Sequence, residues 1–142
     1  MKRSQTSSAC RRDRRPGGWA PFAGYRVLLW WLRGIADLSD DLKERIDTEL
    51  EVYVSSVSVW ELSIKKASGK LKLPEDLTDW IERSGLSDLP IRLRHADLAG
   101  RLPAIHRDPF DRMLIAQALV EKLTLVTRDG LIQRYDVPII EA

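Results

Sequence analysis

Three carboxylates have neighbours that suggest chemistry. Glu61 lies just inside a helix that follows the β-branched and aromatic run Val52-Tyr53-Val54. Asp111 falls in the first turn of an apolar helix opened by Asp108-Pro109, and Asp129 follows the run Leu123 to Thr127. If those runs are strands of one parallel sheet, all three acids fall at its carboxyl end, where ligands bind in open α/β sheets. Clustered carboxylates repel and stay ionised together only beside a compensating charge, and such hard oxygen ligands suit Mg2+ or Mn2+.

Each acid also has a plainer reading. Ser58-Val59-Trp60-Glu61 fits a capping box, and Lys65 stands four residues beyond Glu61 as a helical ion-pair partner. Asp108-Pro109-Phe110-Asp111 has an N-cap, a proline at N1 and an acid at N3, so capping alone explains both carboxylates, and it is the favoured role for Asp108. Asp129-Gly130 is an ordinary turn pair. His106 beside a proline turn reads as a surface or hydrogen-bonded residue, and His95 carries less signal still. Arg107, Arg112 and Arg128 flank the acids and are candidates either to bind phosphate or simply to offset negative charge. Trp30, Trp31, Trp60 and Trp80 recur at helical spacing with other apolar residues, which favours packing over base stacking.

The elements that must position these residues follow from periodicity. Val27 to Leu32 is an apolar stripe closed by Arg33-Gly34, a short buried helix, and a second helix is expected from Asp40 to about Leu50. A strand at Val52 to Val54 leads into a helix over about Val57 to Ala67 that buries Val57, Trp60, Leu62 and Ile64 and stops at Gly69. A helix opened by Pro74-Glu75-Asp76 runs through Trp80 and Ile81. It precedes a strand near Leu89 to Ile91, a helix from about Arg94 to Leu102, the helix from Pro109 to Lys122, and strands at Leu123 to Val126 and Val137 to Ile140. Strands separated by helices imply an α/β domain with a parallel sheet of about four strands, covered on both faces.

A chain of 142 residues holds one such domain. One cysteine, Cys10, excludes an internal disulfide and a sulfur-rich metal cluster, which suits a reducing cytoplasm. No apolar run reaches membrane-spanning length, so no membrane partner is expected. Of 23 basic and 21 acidic residues, six and one fall in the first 21 positions, leaving 17 and 20, so the basicity belongs to the N-terminus. That Arg/Ser/Pro/Gly-rich stretch has no periodicity and reads as a disordered basic leader over 1–23, ahead of a domain over 24–142.

The strings VYVSSVSVWELSIKKASGKLKLP, HRDPFDR-x-LIAQA and LTLVTRD, in this order, resemble VapC-type PIN-domain toxins of type II toxin–antitoxin systems, from about Val27 to the C-terminus. The resemblance implies a small Mg2+-dependent (or Mn2+-dependent) endoribonuclease, a cytoplasmic protein with an RNA substrate, a cognate antitoxin and a homodimeric form. It assigns Glu61, Asp111 and Asp129 as catalytic acids and metal ligands. A metal so held lowers the pKa of bound water and neutralises charge on the scissile phosphate, with no covalent nucleophile.

One position departs. Relatives begin with an apolar strand running into a motif of the type LDTHALLWWL, and aligning Leu28 to Leu32 on its end puts Gly24 where a metal-ligating Asp is expected. Pro21, after Pro-Gly-Gly, argues that this first strand is missing or degraded. The Gly-Tyr codons GGN-TAY read one base later become GNT-AYC, which can spell Asp-Thr, so a frameshift upstream of about Val27 is one origin for the N-terminus. The expected activity is that of an impaired ribonuclease, and the alternative is a non-catalytic remnant that still binds its antitoxin.

Overall fold

A computed structural model describes residues 20–33, 40, 44, 51–73 and 76–141, with the side chains of 30–33 outside the description. Alternation of apolar runs with amphipathic helices gives the order β1 (Ala20–Ala23), α1 (Tyr25–Arg33), β2 (Tyr53–Ser55), α2 (Ser56–Ala67), α3 (Leu77–Arg83) and β3 (Ser87–Leu89). There follow α4 (Leu93–Arg101), α5 (Pro109–Glu121), β4 (Leu123–Thr127), a single 3-10 turn at Ile132–Arg134, and β5 (Ile139–Glu141). The sheet has five strands in the order β3-β2-β1-β4-β5, and every pairing is parallel.

Two expectations are corrected here. The first strand is present: Ala20–Ala23 is buried along its length and lies at the centre of the sheet, so residues 20–23 belong to the domain and the strand count is five. Pro21 fits because pairing with β2 begins only at Phe22, which leaves the proline near the start of the strand. Trp60 and Ile64, expected in the core, are 59% and 44% exposed, and α2 buries Val57, Ser58, Glu61 and Leu62 instead. The helix is narrower in its buried stripe than its composition suggests, because β2 turns into α2 without a loop and directs Glu61 inward. The helix expected at about 40–50 and the basic stretch at 1–19 lie outside the described residues.

Side chains alternate across the sheet with the strand period of two. Ala23, Val54 and Val126 face one core with Val27 and Leu28 of α1, Leu62 of α2, and Leu77 and Ile81 of α3. Phe22, Tyr53, Leu123 and Leu125 face the other with Leu114, Ile115 and Ala118 of α5. Helices therefore cover both faces. The helix α4 lies on α5, where the buried His95 accepts from the Arg92 N–H through Nδ1 and meets Glu121 through Nε2 at 2.9 Å. No helix among the described residues is long and apolar enough to cross a membrane.

Candidate functional site

Strands β1, β2 and β3 step outward in one direction, and β4 and β5 step outward in the other, so the order reverses between β1 and β4. Crevices open at such switch points. Here a cleft of about 360 Å³ is lined by Gly24, Tyr25 and Arg26 after β1, Glu61 and Lys65 of α2, His106, Asp108 and Asp111 at the start of α5, and Thr127, Arg128 and Asp129 after β4.

Local chemistry fixes each acid. Ser55 is the N-cap of α2, its Oγ accepting from the Val57 N–H at 3.0 Å, so the helix starts earlier than a Ser58 cap would require. Glu61 thus lies beyond the first turn, which removes the capping-box reading and leaves its carboxylate facing the cleft. The same Ser55 Oγ donates to Gln117 Oε1 at 2.5 Å, joining β2 to the fully buried middle of α5. Asp108 caps α5 as expected, its Oδ1 accepting from the Phe110 N–H at 2.9 Å with Pro109 at N1. Asp129 Oδ1 accepts from the Leu131 N–H at 2.8 Å, which holds the turn after β4.

His106 joins two of the acids. The Asp108 N–H donates to Nδ1 at 3.1 Å, so the ring proton is assigned to Nε2, which lies 2.9 Å from Asp129 Oδ2 and 3.0 Å from Asp111 Oδ2. His106, Asp111 and Asp129 offer donor atoms all within 4.8 Å of one another. Adjacent ligands of an octahedral Mg2+ stand about 3 Å apart and opposite ones about 4.2 Å, so the spacing suits such an ion. As hydrogen-bonded here, however, Nε2 is a donor and not a lone pair. The oxygens of Asp111 and Asp129, with Glu61 across the cleft, are therefore the groups able to hold a metal, and His106 braces two of them.

Electrostatics agrees with that division. Burial pushes the Glu61 carboxyl up to about 7, with repulsion from Asp108 and Asp111 adding to it and Lys65 and Arg26 partly offsetting it. Asp111 is pushed up to about 6, again first by burial and then by Asp108. Burial pushes Asp129 the same way, but the hydrogen bonds from His106 and from the Leu131 and Ile132 N–H groups outweigh it and hold the carboxyl below its usual range. Two carboxyls that resist ionisation beside one that does not are short of positive charge.

The basic candidates separate. Arg128 lines the cleft, whereas Arg107 is exposed and outside its lining. Arg112 does not face a ligand: its Nη2 donates to Ala99 O (2.8 Å) and Leu102 O (2.9 Å), and its Nη1 to Pro103 O (2.8 Å), which closes the C-terminus of α4 against α5. A five-donor guanidinium suits that carbonyl cluster, and the phosphate reading of Arg112 is set aside. Sequence reasoning missed Arg26, whose guanidinium is held more firmly charged by its hydrogen bond to Tyr25 Oη and, more weakly, by Asp111 and Asp129. It also missed Lys65 as a cleft residue, its Nζ standing 5.1 Å from the Tyr25 ring centre. The available signal was their proximity to Gly24 and Glu61.

Gly24 stands at the switch point with no special backbone need for glycine, since it is not among the positive-φ glycines. A Cβ there would meet Leu114 Cδ1 at 3.7 Å and Val126 O at 3.9 Å, which is ordinary contact.

A five-stranded parallel α/β sheet with carboxylates gathered at its switch point defines a small acidic-site α/β domain. The sequence profile of the PIN domain matches residues 26–138, and the chain belongs to that family. In fold it is similar to VapBC2 from Rickettsia felis bound to a DNA fragment from its promoter, with 17% identity, a TM-score of 0.66, and 85% of this chain and 97% of that one covered. It is similar also to DNA-bound VapBC from Salmonella typhimurium (19% identity, TM-score 0.66, 86% and 97% covered) and to a toxin–antitoxin complex from Klebsiella pneumoniae (13%, 0.62, 86% and 97%). No curated protein matches it.

Proposed function

We propose that this chain is a VapC-type PIN protein, the toxin component of a toxin–antitoxin pair, descended from divalent-metal endoribonucleases and weakened in cleavage by Gly24. The observation that supports this is the convergence of Glu61, Asp111 and Asp129 on one cleft in which burial, and after it repulsion from neighbouring carboxylates, makes two of them resist ionisation. The donor set fits Mg2+ or Mn2+, which accept few protein carboxylates and keep several waters.

Asp111 and Asp129 are the groups for direct ligation, with Glu61 acting on them or through water. When bound, the ion lowers the pKa of a water and neutralises phosphate charge. Arg26, Lys65 and Arg128 on the cleft lining orient an anionic strand, and His106 fixes the attitude of Asp111 and Asp129. Without a carboxylate at position 24 the site offers one negative charge fewer, which weakens the hold on the ion and with it turnover.

The partners that follow are an RNA strand and an antitoxin protein, with a homodimer as the expected assembly, and the site of action is the cytoplasm. The domain includes β1 (Ala20–Ala23). The experiment is RNA cleavage with Mg2+ or Mn2+ by the native chain, by Gly24→Asp and by Gly24→Asp with Asp111→Ala. Weak or absent cleavage, restored by the first change and abolished again by the second, is the expected pattern. Full activity in the native chain refutes the impairment, and no activity in any variant refutes the ribonuclease lineage. Gly24 itself favours one second reading, a non-catalytic PIN protein retained for antitoxin binding, for which tight antitoxin binding without any cleavage is the mark.

A further inference from the structure

The least explained side chain near the cleft is Trp60. It is 59% exposed, the most exposed aromatic among the described large hydrophobic residues, yet it is not loose. Its ring meets Phe110 in an edge-on contact, with centroids 5.1 Å apart and planes at 73°. Trp60 directly precedes Glu61 and Phe110 directly precedes Asp111, so the aromatic pair bridges α2 and the start of α5 beside the two acids that resist ionisation. Burial of a Trp in the core is the normal outcome for an apolar helix face. Here the ring is oriented by Phe110 and most of it faces solvent.

We propose that Trp60, braced by Phe110, is a stacking platform for a nucleobase of a single-stranded RNA whose phosphodiester lies in the Glu61–Asp111–Asp129 cleft. The assignment of the cleft to a phosphodiester rests on the function proposed above; the platform adds a base-binding subsite to it. Its position favours a nucleotide over a protein partner. The cleft beside it carries Arg26, Lys65 and Arg128, which suit a polyanionic backbone. On α2 itself, Ile64, one turn beyond Trp60, is the one other large apolar side chain that is exposed, and exposed Ser63 lies beside the pair, so the large apolar side chains open to solvent on this helix are these two alone. An aromatic ring next to a polar groove whose lining includes cations able to meet phosphates is how single strands are held without strict sequence choice.

The test is binding of a fluorescent single-stranded oligoribonucleotide in EDTA, so that cleavage plays no part, by the native chain, Trp60→Ala and Trp60→Phe. The same strand is tested with single abasic positions. Trp60→Ala should weaken binding on the order of tenfold and Trp60→Phe much less, and one abasic position should weaken the native chain while removing the difference between native and Trp60→Ala. Equal binding by native chain and Trp60→Ala overturns the platform, as does a loss that persists with every abasic strand. A Trp60→Ala change that alters sedimentation but not RNA binding also overturns it and makes the surface a protein contact. The parent reading fails separately: if Trp60-dependent binding is seen but Gly24→Asp never cleaves RNA, the platform stands and the nuclease lineage falls. If Gly24→Asp cleaves and binding ignores Trp60, the reverse holds.

Discussion

His106 Nε2 stands 2.9 Å from Asp129 Oδ2, with its other ring nitrogen fixed by the Asp108 N–H, so one imidazole sets the attitude of a carboxylate on a different element. The same nitrogen reaches Asp111 at 3.0 Å, and the two acids are thereby held at a spacing an octahedral ion accepts. His106→Ala should raise the Asp129 carboxyl toward its ordinary range, since His106 supplies the hydrogen bond that lowers it. Divalent-metal affinity should fall on the order of tenfold, as when an outer-shell partner is lost. An NMR titration of the Asp129 carboxyl and a Mn2+ titration read the two effects, and unchanged values in both would remove the bracing role.

The Glu61 carboxyl titrates at about 7 in the fold against 4.5 ordinarily. A carboxyl whose folded pKa is raised favours the folded state below the unfolded pKa, and that advantage is lost as pH rises through the folded value. In EDTA the native chain should therefore lose stability between about pH 4.5 and 7, by on the order of 1–2 kcal/mol, and Glu61→Gln should flatten that part of the profile. Denaturant melts at a series of pH values measure it. A profile for Glu61→Gln that parallels the native one contradicts the assignment.

Metal binding should counter the same titration, because the ion competes with protons for Glu61 and Asp111. Mg2+ is expected to bind more tightly at pH 8 than at pH 6 and to release protons as it binds. Calorimetry in buffers of different ionisation enthalpy detects the release, and an enthalpy independent of buffer would argue against these carboxylates as the site.

Gly24→Asp should fold with little strain, as the nearest contacts of the added Cβ are 3.7 and 3.9 Å. Without metal it should lower the melting temperature through added repulsion, and with Mg2+ it should gain more stabilisation than the native chain. Thermal shifts with and without Mg2+ test both signs, and identical shifts in the two proteins would mean that position 24 does not face the ion.

Arg112→Met should destabilise the fold by about 2–3 kcal/mol, because the carbonyls of Ala99, Leu102 and Pro103 lose charged donors together. Arg112→Lys should recover only part of this, since three ammonium donors lack the planar fork. Chemical denaturation checks the order native, Lys, Met.

The parallel α/β arrangement, the α5 cap and the convergence of Glu61, Asp111 and Asp129 were all legible in the sequence, because each rests on local patterning. The central strand was not, since APFA is too short for period-two alternation and its proline argues against a strand until the β2 register is known. His106 was hidden for a related reason: its partners are 5 and 23 residues away, and nothing in the HRDPFDR string says that the ring turns toward the acids. Arg112 was misread because a cation among acids looks like a phosphate ligand, whereas its donors answer the open carbonyls at the end of α4. The exposure of Trp60 depends on which stripe of α2 meets the rest of the fold, and Val57, Ser58, Glu61 and Leu62 occupy it.

The pairing of β1 with β4 joins Ala20 to Leu123 and Ala23 to Val126. More than a hundred residues of chain therefore have to be synthesised before the central strand can acquire its second neighbour, and closing so long a loop comes late in folding. Asp129 hangs from the end of β4, so a nascent or truncated chain lacking that strand has only Glu61 and Asp111 of the three site acids. Such a chain would lack one acid of the site whatever residue stands at position 24, which ties assembly of the whole acidic site to completion of synthesis through β4.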